Sequence, residues 1–195
     1  MFPSLSSDKT GPLLLLGGLL LVAALFFYWR VAVEDEVGDY HVRTGNYRLE
    51  DGQFAQALNE FEQALRQNPE HALAHLGMGI TLMQSGRDDE ALAAFDRTIA
   101  LKPELAVAYA NKGILLDRLG DYPHALAHYQ KALALEPKVA EGPGWLWRFM
   151  RNLDEKPPTI ADRAAYLERE LQKPAAEQLL RLPEKDQQQR MYRLD

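Results

Sequence analysis

The chain has 195 residues, enough for one domain with attached segments, and its formal net charge is −6 because 28 Asp and Glu outnumber 22 Lys and Arg. An acidic chain is poorly suited to binding nucleic acid, whose phosphates require a basic surface. The absence of cysteine excludes disulfides, thiol catalysis, cysteine-linked lipids and cysteine-ligated metals.

The N-terminal segment is much more apolar than the rest of the chain. The sequence LLLLGGLLLVAALFFYW, residues 13–29, has no charge over 17 residues. As a helix it would extend about 25 Å at about 1.5 Å per residue. With its flanking residues it reaches the lower end of the length that spans a membrane. We therefore expect a short polar tail over residues 1–11 and a transmembrane anchor over residues 12–33.

A cleaved signal peptide is the alternative interpretation of this segment. Lys9 is the only basic side chain before the apolar run, and the bulky sequence FFYWRVAVEDE offers no small-residue cleavage site. These features favour an uncleaved anchor, so we expect a single-pass protein of the bacterial inner membrane. The side that the remaining chain faces stays open, because the basic residues and the usual orientation of signal anchors favour opposite sides.

Three similar stretches follow with a period of 34 residues. They read GQFAQALNEFEQALRQNP, GRDDEALAAFDRTIALKP and GDYPHALAHYQKALALEP, and each begins with Gly and ends with Pro. A fixed period of this length predicts a repeat architecture, in which stacked units share one core. The predicted units are 38–71, 72–105 and 106–137, within a repeat region over 34–137.

Small and aromatic residues recur at fixed places in the three units. Glycine inside a helix costs up to about 1 kcal/mol relative to alanine, so a glycine at the same place in every unit needs a reason. Close approach of two helices supplies that reason, and an aromatic ring would fill the gap beyond the contact. We therefore predict that each unit is an antiparallel helix pair. The recurring residues are Gly45, Gly79 and Gly113, then Ala57, Ala91 and Ala125, then Phe61, Phe95 and Tyr129.

These features resemble the tetratricopeptide repeat family over residues 38–137, a little over half of the chain. The departures are His41, His75 and Tyr109 at the fourth place, and Arg48 at the eleventh place of the first unit. The resemblance implies an all-α fold, with the transmembrane helix followed by a three-unit solenoid and a helical C-terminal extension. It also implies a concave groove, lined by the first helix of each unit, that binds proteins and rarely catalyses.

The predicted groove has an apolar middle. It should take the apolar face of a helix or an extended segment of a partner. A clamp for a terminal carboxylate is not expected, because Val42, Gly77 and Val107 stand where that clamp needs polar or basic residues. Alternatively, the chain's own tail fills the groove. The predicted groove residues are Asn46, Leu73, Leu76, Ile80, Met83, Asn111, Ile114 and Arg118.

Candidates for catalysis or metal binding are few. His124 and His128 lie one helical turn apart, but no third ligand has a suitable spacing, so a solvated face is the preferred interpretation. We find no P-loop, no G-x-S-x-G, no H-E-x-x-H and no dinucleotide-binding fingerprint. The expectation is therefore no enzyme activity, no cofactor, no metal and no small-molecule substrate.

Residues 138–195 do not continue the repeat and are predicted to form a capping helix and a helical extension. The capping helix is expected within EGPGWLWRFMRNLDEKPP, residues 141–158, where Trp147 and Arg151 face away from its apolar side. These two residues could form an interface anchor, ordinary surface or a membrane contact. Thr159 is a predicted N-cap of the helix that follows.

The sequence as a whole predicts a non-enzymatic, membrane-anchored scaffold for other proteins. It would act as an accessory subunit or an assembly factor of a membrane complex, with no nucleic-acid partner. A second hypothesis is a chaperone-like receptor that binds client segments transiently in the groove. An enzyme or a metal-binding protein is the hypothesis that the residues support least.

Overall fold

The computed structural model describes residues 18–28, 36–141 and 158–181, and these residues contain helices and no strand. The chain divides into two compact parts, Met1–Glu36 and Val37–Asp195. In the N-terminal part, helix α1 covers residues 18–28 and its side chains are exposed. The C-terminal part contains α2 (Asp39–Glu50), α3 (Phe54–Gln67), α4 (Ala72–Gln84), α5 (Asp88–Leu101), α6 (Ala106–Leu119), α7 (Tyr122–Leu135) and α8 (Ile160–Leu171), with 3-10 turns at Pro137–Ala140 and Ala175–Glu177.

The predicted membrane anchor is only partly covered by these residues. Among the described helices, none combines the length and the apolar character needed to cross a membrane. Of the anchor predicted over residues 12–33, only 18–28 belong to the described part of the chain. The anchor therefore stays a prediction.

The three predicted helix pairs are present as the hairpins α2–α3, α4–α5 and α6–α7. The turn inside each hairpin contains a glycine with a positive φ angle: 71° at Gly52, 74° at Gly86 and 86° at Gly120. Side chains with a Cβ rarely adopt this conformation, whereas glycine adopts it readily. This explains why each of the three similar stretches in the sequence begins with glycine.

Helices approach closely where glycine faces an aromatic ring. A Cβ added to Gly45 would lie 2.7 Å from Cε1 of Phe61, and one added to Gly113 would lie 2.7 Å from Cδ1 of Tyr129. Gly77 in α4 is tighter still, because a Cβ there would lie 2.3 Å from Cζ of Phe61. The Phe61 ring is thus enclosed by a glycine of its own unit and a glycine of the next. The close-contact interpretation of the repeated glycines is confirmed.

The apolar core of the C-terminal part, residues 37–195, consists of two clusters among the described residues. The first joins the hairpins α2–α3 and α4–α5 and extends into α6 through Val107 and Leu115. The second joins α6 and α7 to the Pro137–Ala140 turn and to α8, where Ile160 and Leu167 are fully buried. Helix α8 therefore covers the C-terminal end of the repeats, as the end of a solenoid requires.

Helix α8 begins at the N-cap that the sequence predicts. The backbone N–H of Asp162 donates to Oγ1 of Thr159 at 3.3 Å, and the N–H of Thr159 donates to Oδ2 of Asp162 at 2.9 Å. This reciprocal pair satisfies donors that a helix start leaves without intrahelical partners. The capping helix predicted within residues 141–158 lies almost entirely outside the described residues, and α8 is the helix observed on the third unit.

Candidate functional site

A pocket opens between the first helices of the first two repeat units. Its volume is about 80 Å³, well below the roughly 300–1,000 Å³ of typical small-molecule sites. It is therefore suited to one inserted side chain of a partner. The lining residues are Asn46, Leu49 and Glu50 from α2, and Leu73, Leu76, Gly77 and Ile80 from α4.

The pocket brings together four of the predicted groove residues. Leu76 and Ile80 are buried and form an apolar floor, whereas Leu73 is half-buried. Asn46 is exposed at the rim, together with Glu50. The pocket thus combines an apolar contact surface with an amide and a carboxylate, which can fix the orientation of a bound segment through hydrogen bonds.

Three other predicted groove residues do not line an open surface. Met83 and Asn111 are 1% and 0% exposed, and Ile114 is buried as well. The side-chain amide of Asn111 donates to the carbonyl of Val107, one turn earlier in α6, at 3.0 Å. The reason is that α4 and α6 each lie between the second helix of the preceding unit and the second helix of their own unit. The spacing of residues along one helix predicts which side chains share a side of that helix. It gives no information on which neighbouring helices cover that side.

Arg118, the last of the predicted groove residues, is exposed and joins two units. Its Nη2 donates to the carbonyl of Met83 at 2.9 Å and to Oδ1 of Asp88 at 2.5 Å. These bonds link the end of α6 to the end of α4 and the start of α5. The structure therefore gives Arg118 a role in holding the second and third units together.

Helix α8 of the tail is bonded to the end of α6 in the third unit. Asp117 of α6 is buried where it meets Arg163 of α8. Nε and Nη2 of Arg163 donate to its two carboxylate oxygens, each at 2.7 Å, and the hydroxyl of Tyr129 donates to Oδ2 at 3.0 Å. No described residue of the tail lines the pocket between α2 and α4, and the alternative that the tail fills the groove stays a prediction.

A short strap, residues 178–181, is held on α8. Nη2 of Arg163 donates to the Leu180 carbonyl at 2.8 Å, and the Tyr166 hydroxyl donates to the Leu179 carbonyl at 2.5 Å. The N–H of Leu179 donates to Oε2 of Glu170 at 2.9 Å. The hydrogen bond from Lys173, and then the one from Leu179, lowers the pKa of the Glu170 carboxyl below its ordinary value.

Arg163 is a residue of the contact between α8 and the repeats that sequence reasoning missed. It lies three residues after Ile160 and four before Leu167, on the apolar side of α8. A charge at such a place costs free energy unless it finds a partner of opposite sign. That spacing is the signal that could have predicted a buried acidic partner in the preceding repeat.

The remaining predicted candidates do not form a site among the described residues. Nδ1 of His124 lies 2.8 Å from Oδ2 of Asp121, and the His128 ring packs against Tyr109 with 5.9 Å between the ring centroids. Burial, and then the charge of Lys112, lowers the pKa of His128. No group of three His, Asp or Glu residues in residues 18–28, 36–141 and 158–181 could hold a metal ion.

Trp147 and Arg151, the predicted interface anchors of the tail, lie outside the described residues. Their interpretation as an interface, ordinary surface or a membrane contact therefore stays open. The described tail contacts involve α8 and the strap instead.

Solved structures with a similar fold are known. The chain is similar to the Arabidopsis OM64 TPR domain, with 20% identity, 52% of this chain and 84% of that chain covered, and a TM-score of 0.51. It is also similar to the first TPR of Spaghetti (RPAP3) bound to HSP90 peptide SRMEEVD, with 17% identity, coverage of 60% and 90%, and a TM-score of 0.51. The second TPR of Spaghetti, bound to the same peptide, gives 19% identity, coverage of 52% and 94%, and a TM-score of 0.50.

At these identities the similarity concerns the fold alone. No curated protein sequence matches the chain. Two models described as tetratricopeptide repeat match residues 42–106 and 106–139. Together they span about half of the sequence and cover the three hairpins apart from residues 39–41 at the start of α2. The chain belongs to the tetratricopeptide repeat family.

Proposed function

We propose that the chain is a non-enzymatic, membrane-anchored scaffold that holds other proteins of a membrane complex, as an accessory subunit or an assembly factor. Proteins of this family are in general interaction modules without catalytic activity. The observation that carries the proposal is the pocket between α2 and α4, which has an apolar floor and a polar rim. We place the protein in a bacterial inner membrane, with other proteins as its partners.

The chemistry of the groove favours a partner segment with an apolar anchor residue. The peptide in the two Spaghetti structures, SRMEEVD, has three acidic residues among its last four. Here, Val42 and Val107 are buried and Gly77 packs on Phe61, so these places offer no basic group to a carboxylate. Glu50 adds negative charge to the rim. We therefore expect the bound segment to insert one apolar side chain and to offer a hydrogen-bond donor or a basic group to Glu50.

Membrane anchoring rests on the apolar run over residues 13–29. The helix α1 within it exposes large apolar side chains on every side, among them Leu19, Leu20, Val22 and Phe27. A helix that is apolar all round is typical of a membrane span. An anchor would keep the groove near the bilayer and raise its effective concentration toward membrane partners.

The anchor is tested by alkaline extraction of membranes that contain the full chain. We expect the chain to stay in the membrane fraction and a variant lacking residues 1–33 to be released. Release of the full chain under the same conditions would contradict the anchor, while leaving the proposed groove untouched.

The groove is tested with substitutions at the open part of the pocket. Asn46→Ala combined with Leu73→Asp should remove the partner from the complex, because both residues line the pocket, where Asn46 is exposed and Leu73 is half-buried. Since Leu73 also packs against the first apolar cluster, an unchanged melting curve has to show that the repeats stay folded. Leu119→Asp is the matched control, since Leu119 is an exposed leucine outside the pocket. Equal loss of the partner from both variants, or retention by both, would count against the groove.

Aspartate at Leu76, Ile80 or Ile114 is unsuitable for this purpose. All three side chains are buried, and an unpaired carboxylate in the core is strongly destabilising. Loss of binding in such a variant would report unfolding of the repeats.

A chaperone-like receptor that binds client segments transiently is the second candidate. The small volume of the pocket favours it, because a single inserted side chain gives few contacts to hold a partner. The two functions differ in stoichiometry. A subunit remains bound at a constant ratio through purification, whereas a receptor releases its clients.

A further inference from the structure

A buried hydrogen bond ties the start of the first repeat unit to the start of the second. Nε2 of His71 donates to Oδ1 of Asp39 at 2.9 Å. The His71 side chain is 0% exposed and that of Asp39 is 19% exposed. Asp39 is the first residue of α2, whereas His71 is the N-cap of α4, and its carbonyl accepts from the N–H groups of Ala74 and His75. The bond therefore joins the two helices that form the walls of the pocket.

The other two units have apolar residues at the places of this pair. Each of these apolar side chains is buried or partly buried in the core. Of the three units, the first alone makes the contact with a carboxylate and an imidazole. The residues that take the place of Asp39 are Leu73 and Val107, and those that take the place of His71 are Leu105 and Val139, given the period of 34 residues.

Stability alone does not explain the polar pair. Nδ1 of His71 is buried and has no hydrogen-bond partner among the described residues. A buried polar atom without a partner costs free energy. Replacement of a buried polar pair by apolar residues of similar volume is often neutral or stabilising. The first unit should therefore tolerate the apolar residues that the other two units have at these places.

A hydrogen bond gives the contact a direction that apolar packing does not give. Its donor and acceptor have a preferred distance and angle, whereas the hydrophobic effect is non-directional. The backbone also fits closely around the His71 ring. Gly38 has a φ of 104°, and a Cβ there would lie 3.2 Å from Cδ2 of His71. The start of α2 is thus held against one position of the ring, which itself belongs to the start of α4.

The bond lies close to the residues that line the pocket. Asn46 follows Asp39 by seven residues of α2, which is about 10 Å along a helix. Leu73 follows His71 by two residues at the start of α4. Asn46 and Leu73 line the pocket from its two walls. Because α2 and α4 are continuous helices, a shift at the bond would move one wall relative to the other.

Given the proposed function of the groove, we propose that the hydrogen bond between His71 and Asp39 positions the two walls of the pocket and gives it one width before a partner binds. Neither residue lines the pocket, so both act through the placement of α2 against α4. They are positioning residues of the groove. A pocket whose walls are already in place avoids the cost of ordering them on binding. This matters for a small pocket, in which one inserted side chain makes few contacts.

The test replaces the polar pair with the apolar pair of the second unit, in the double variant Asp39→Leu, His71→Leu. The chain has no cysteine, so Asp51→Cys and Ser85→Cys, at the exposed C-caps of α2 and α4, each take one spin label. Pulsed electron paramagnetic resonance then measures the distance between the labels in the full-length chain in detergent. We expect an unchanged or higher melting temperature for the double variant, together with a displaced or broadened distance distribution.

A conservative variant separates positioning from packing. His71→Gln keeps an amide donor near the place of Nε2, so it should retain the distance distribution of the unchanged chain, whereas His71→Leu alone should lose it. Arg118→Gln is the matched control, because it breaks hydrogen bonds between the second and third units and should leave the distance unaltered. In native membranes, the His71→Gln chain should keep its protein partner and the double variant should lose it.

Two results would overturn the proposal. One is an unchanged distance distribution in a folded double variant. The other is a displaced distribution in His71→Gln, which also decides the matter if the double variant does not fold. The distance measurement needs no partner, so it is independent of the proposed function. A displaced distance in the double variant, combined with an unchanged chain that binds no protein, would contradict the scaffold and leave the positioning role of His71 in place.

Discussion

Gly77 shows how the packing between repeats depends on a single missing atom. Its position lets α4 approach the Phe61 ring of the preceding unit, and a Cβ there would lie 2.3, 2.4 and 3.0 Å from three ring carbons. Phe61 is fully buried, so its ring has little room to move away. Interiors packed at this density respond even to one added methyl group.

Gly77→Ala should therefore destabilise the repeats, although alanine is the better helix former. We expect a loss of about 1–3 kcal/mol in the free energy of unfolding, as for other overpacked cores. Urea unfolding of the full chain, followed by circular dichroism, measures it. In the Phe61→Leu background the same change should cost less, because the smaller side chain leaves space. An equal cost in both backgrounds would contradict the contact.

The lowered pKa values of two histidines predict that the stability of the repeats depends on pH. Burial lowers the pKa of His75 despite its hydrogen bond to the Pro69 carbonyl, and burial, followed by the charge of Lys112, lowers the pKa of His128. A lowered pKa in the folded state means that the unfolded chain binds more protons just below the ordinary histidine value of about 6.5. Stability should therefore fall as the pH falls through this value.

The expected result is a lower urea midpoint at pH 5.5 than at pH 7.5, and a smaller difference in the His75→Gln, His128→Gln double variant. These pH values bracket the histidine range at about 6.5. His124→Gln is the matched control, because His124 is exposed beside Asp121. A pH dependence unchanged in the double variant would show that other groups are responsible.

At the level of elements, the docking of α8 depends on the pair between Arg163 and Asp117. Both side chains are buried, and the two hydrogen bonds of 2.7 Å give the geometry that such a pair needs. A buried pair adds little stability compared with apolar residues, but removal of one partner leaves an isolated charge. The pair therefore matters most for keeping α8 in one position.

Arg163→Met should cost about 3–5 kcal/mol in the free energy of unfolding, because the Asp117 carboxylate remains buried without its guanidinium. The double variant Arg163→Met, Asp117→Leu should recover a large part of that loss. Thermal unfolding of the two full-length variants distinguishes them. Equal stability of the single and the double variant would mean that the Asp117 carboxylate is not destabilising when its Arg163 partner is removed.

The strap on α8 should detach in acid. The hydrogen bonds from Lys173 and Leu179 lower the pKa of Glu170, so its contribution to docking is present above the ordinary glutamate value of about 4.3 and is lost as the pH falls through the lower folded value. The protection of the Leu179 amide against hydrogen exchange, relative to an unfolded chain at the same pH, should therefore fall below about pH 4. Tyr166→Phe removes a bond that does not titrate in this range, so it should preserve the pH dependence. A Leu179 amide that stays protected in acid would contradict the role of Glu170.

The sequence predicted the repeat hairpins because their signals are local and repeated. Gly52, Gly86 and Gly120 close turns with positive φ angles, and Gly45 faces the aromatic residue of its own hairpin. Each signal involves residues within one period of 34, so no long-range information is needed. The Thr159 N-cap is local for the same reason.

The exposure of the groove residues could not be predicted in this way. Met83 and Asn111 follow the groove register of their own helices, but α4 and α6 each pack against the second helix of the preceding unit and of their own unit, which the register of one helix does not include. The bond between Asp117 and Arg163 joins residues 46 positions apart. Contacts of this kind depend on how the tail folds back, which no short spacing encodes.

At the scale of the whole molecule, the two ends of the stack of three repeats differ. The end formed by α6 and α7 is closed by α8 and the strap, whereas the end formed by α2 exposes two tyrosines. The pocket lies between the first two units, on the open half. Among the described residues, α8 and the strap thus complete the fold at the C-terminal end of the repeats, while the pocket lies toward the other end.

The most direct measurement of the proposed function is the composition of the complex that the full-length chain forms in its native membrane. The tagged chain would be purified in mild detergent, separated on a native gel and analysed by mass spectrometry. The account predicts a fixed set of protein partners at constant ratio to the chain, and loss of a partner in the Asn46→Ala, Leu73→Asp variant. A chain that migrates alone, or with many proteins at low and variable ratios, would contradict the scaffold and indicate a receptor for transient clients.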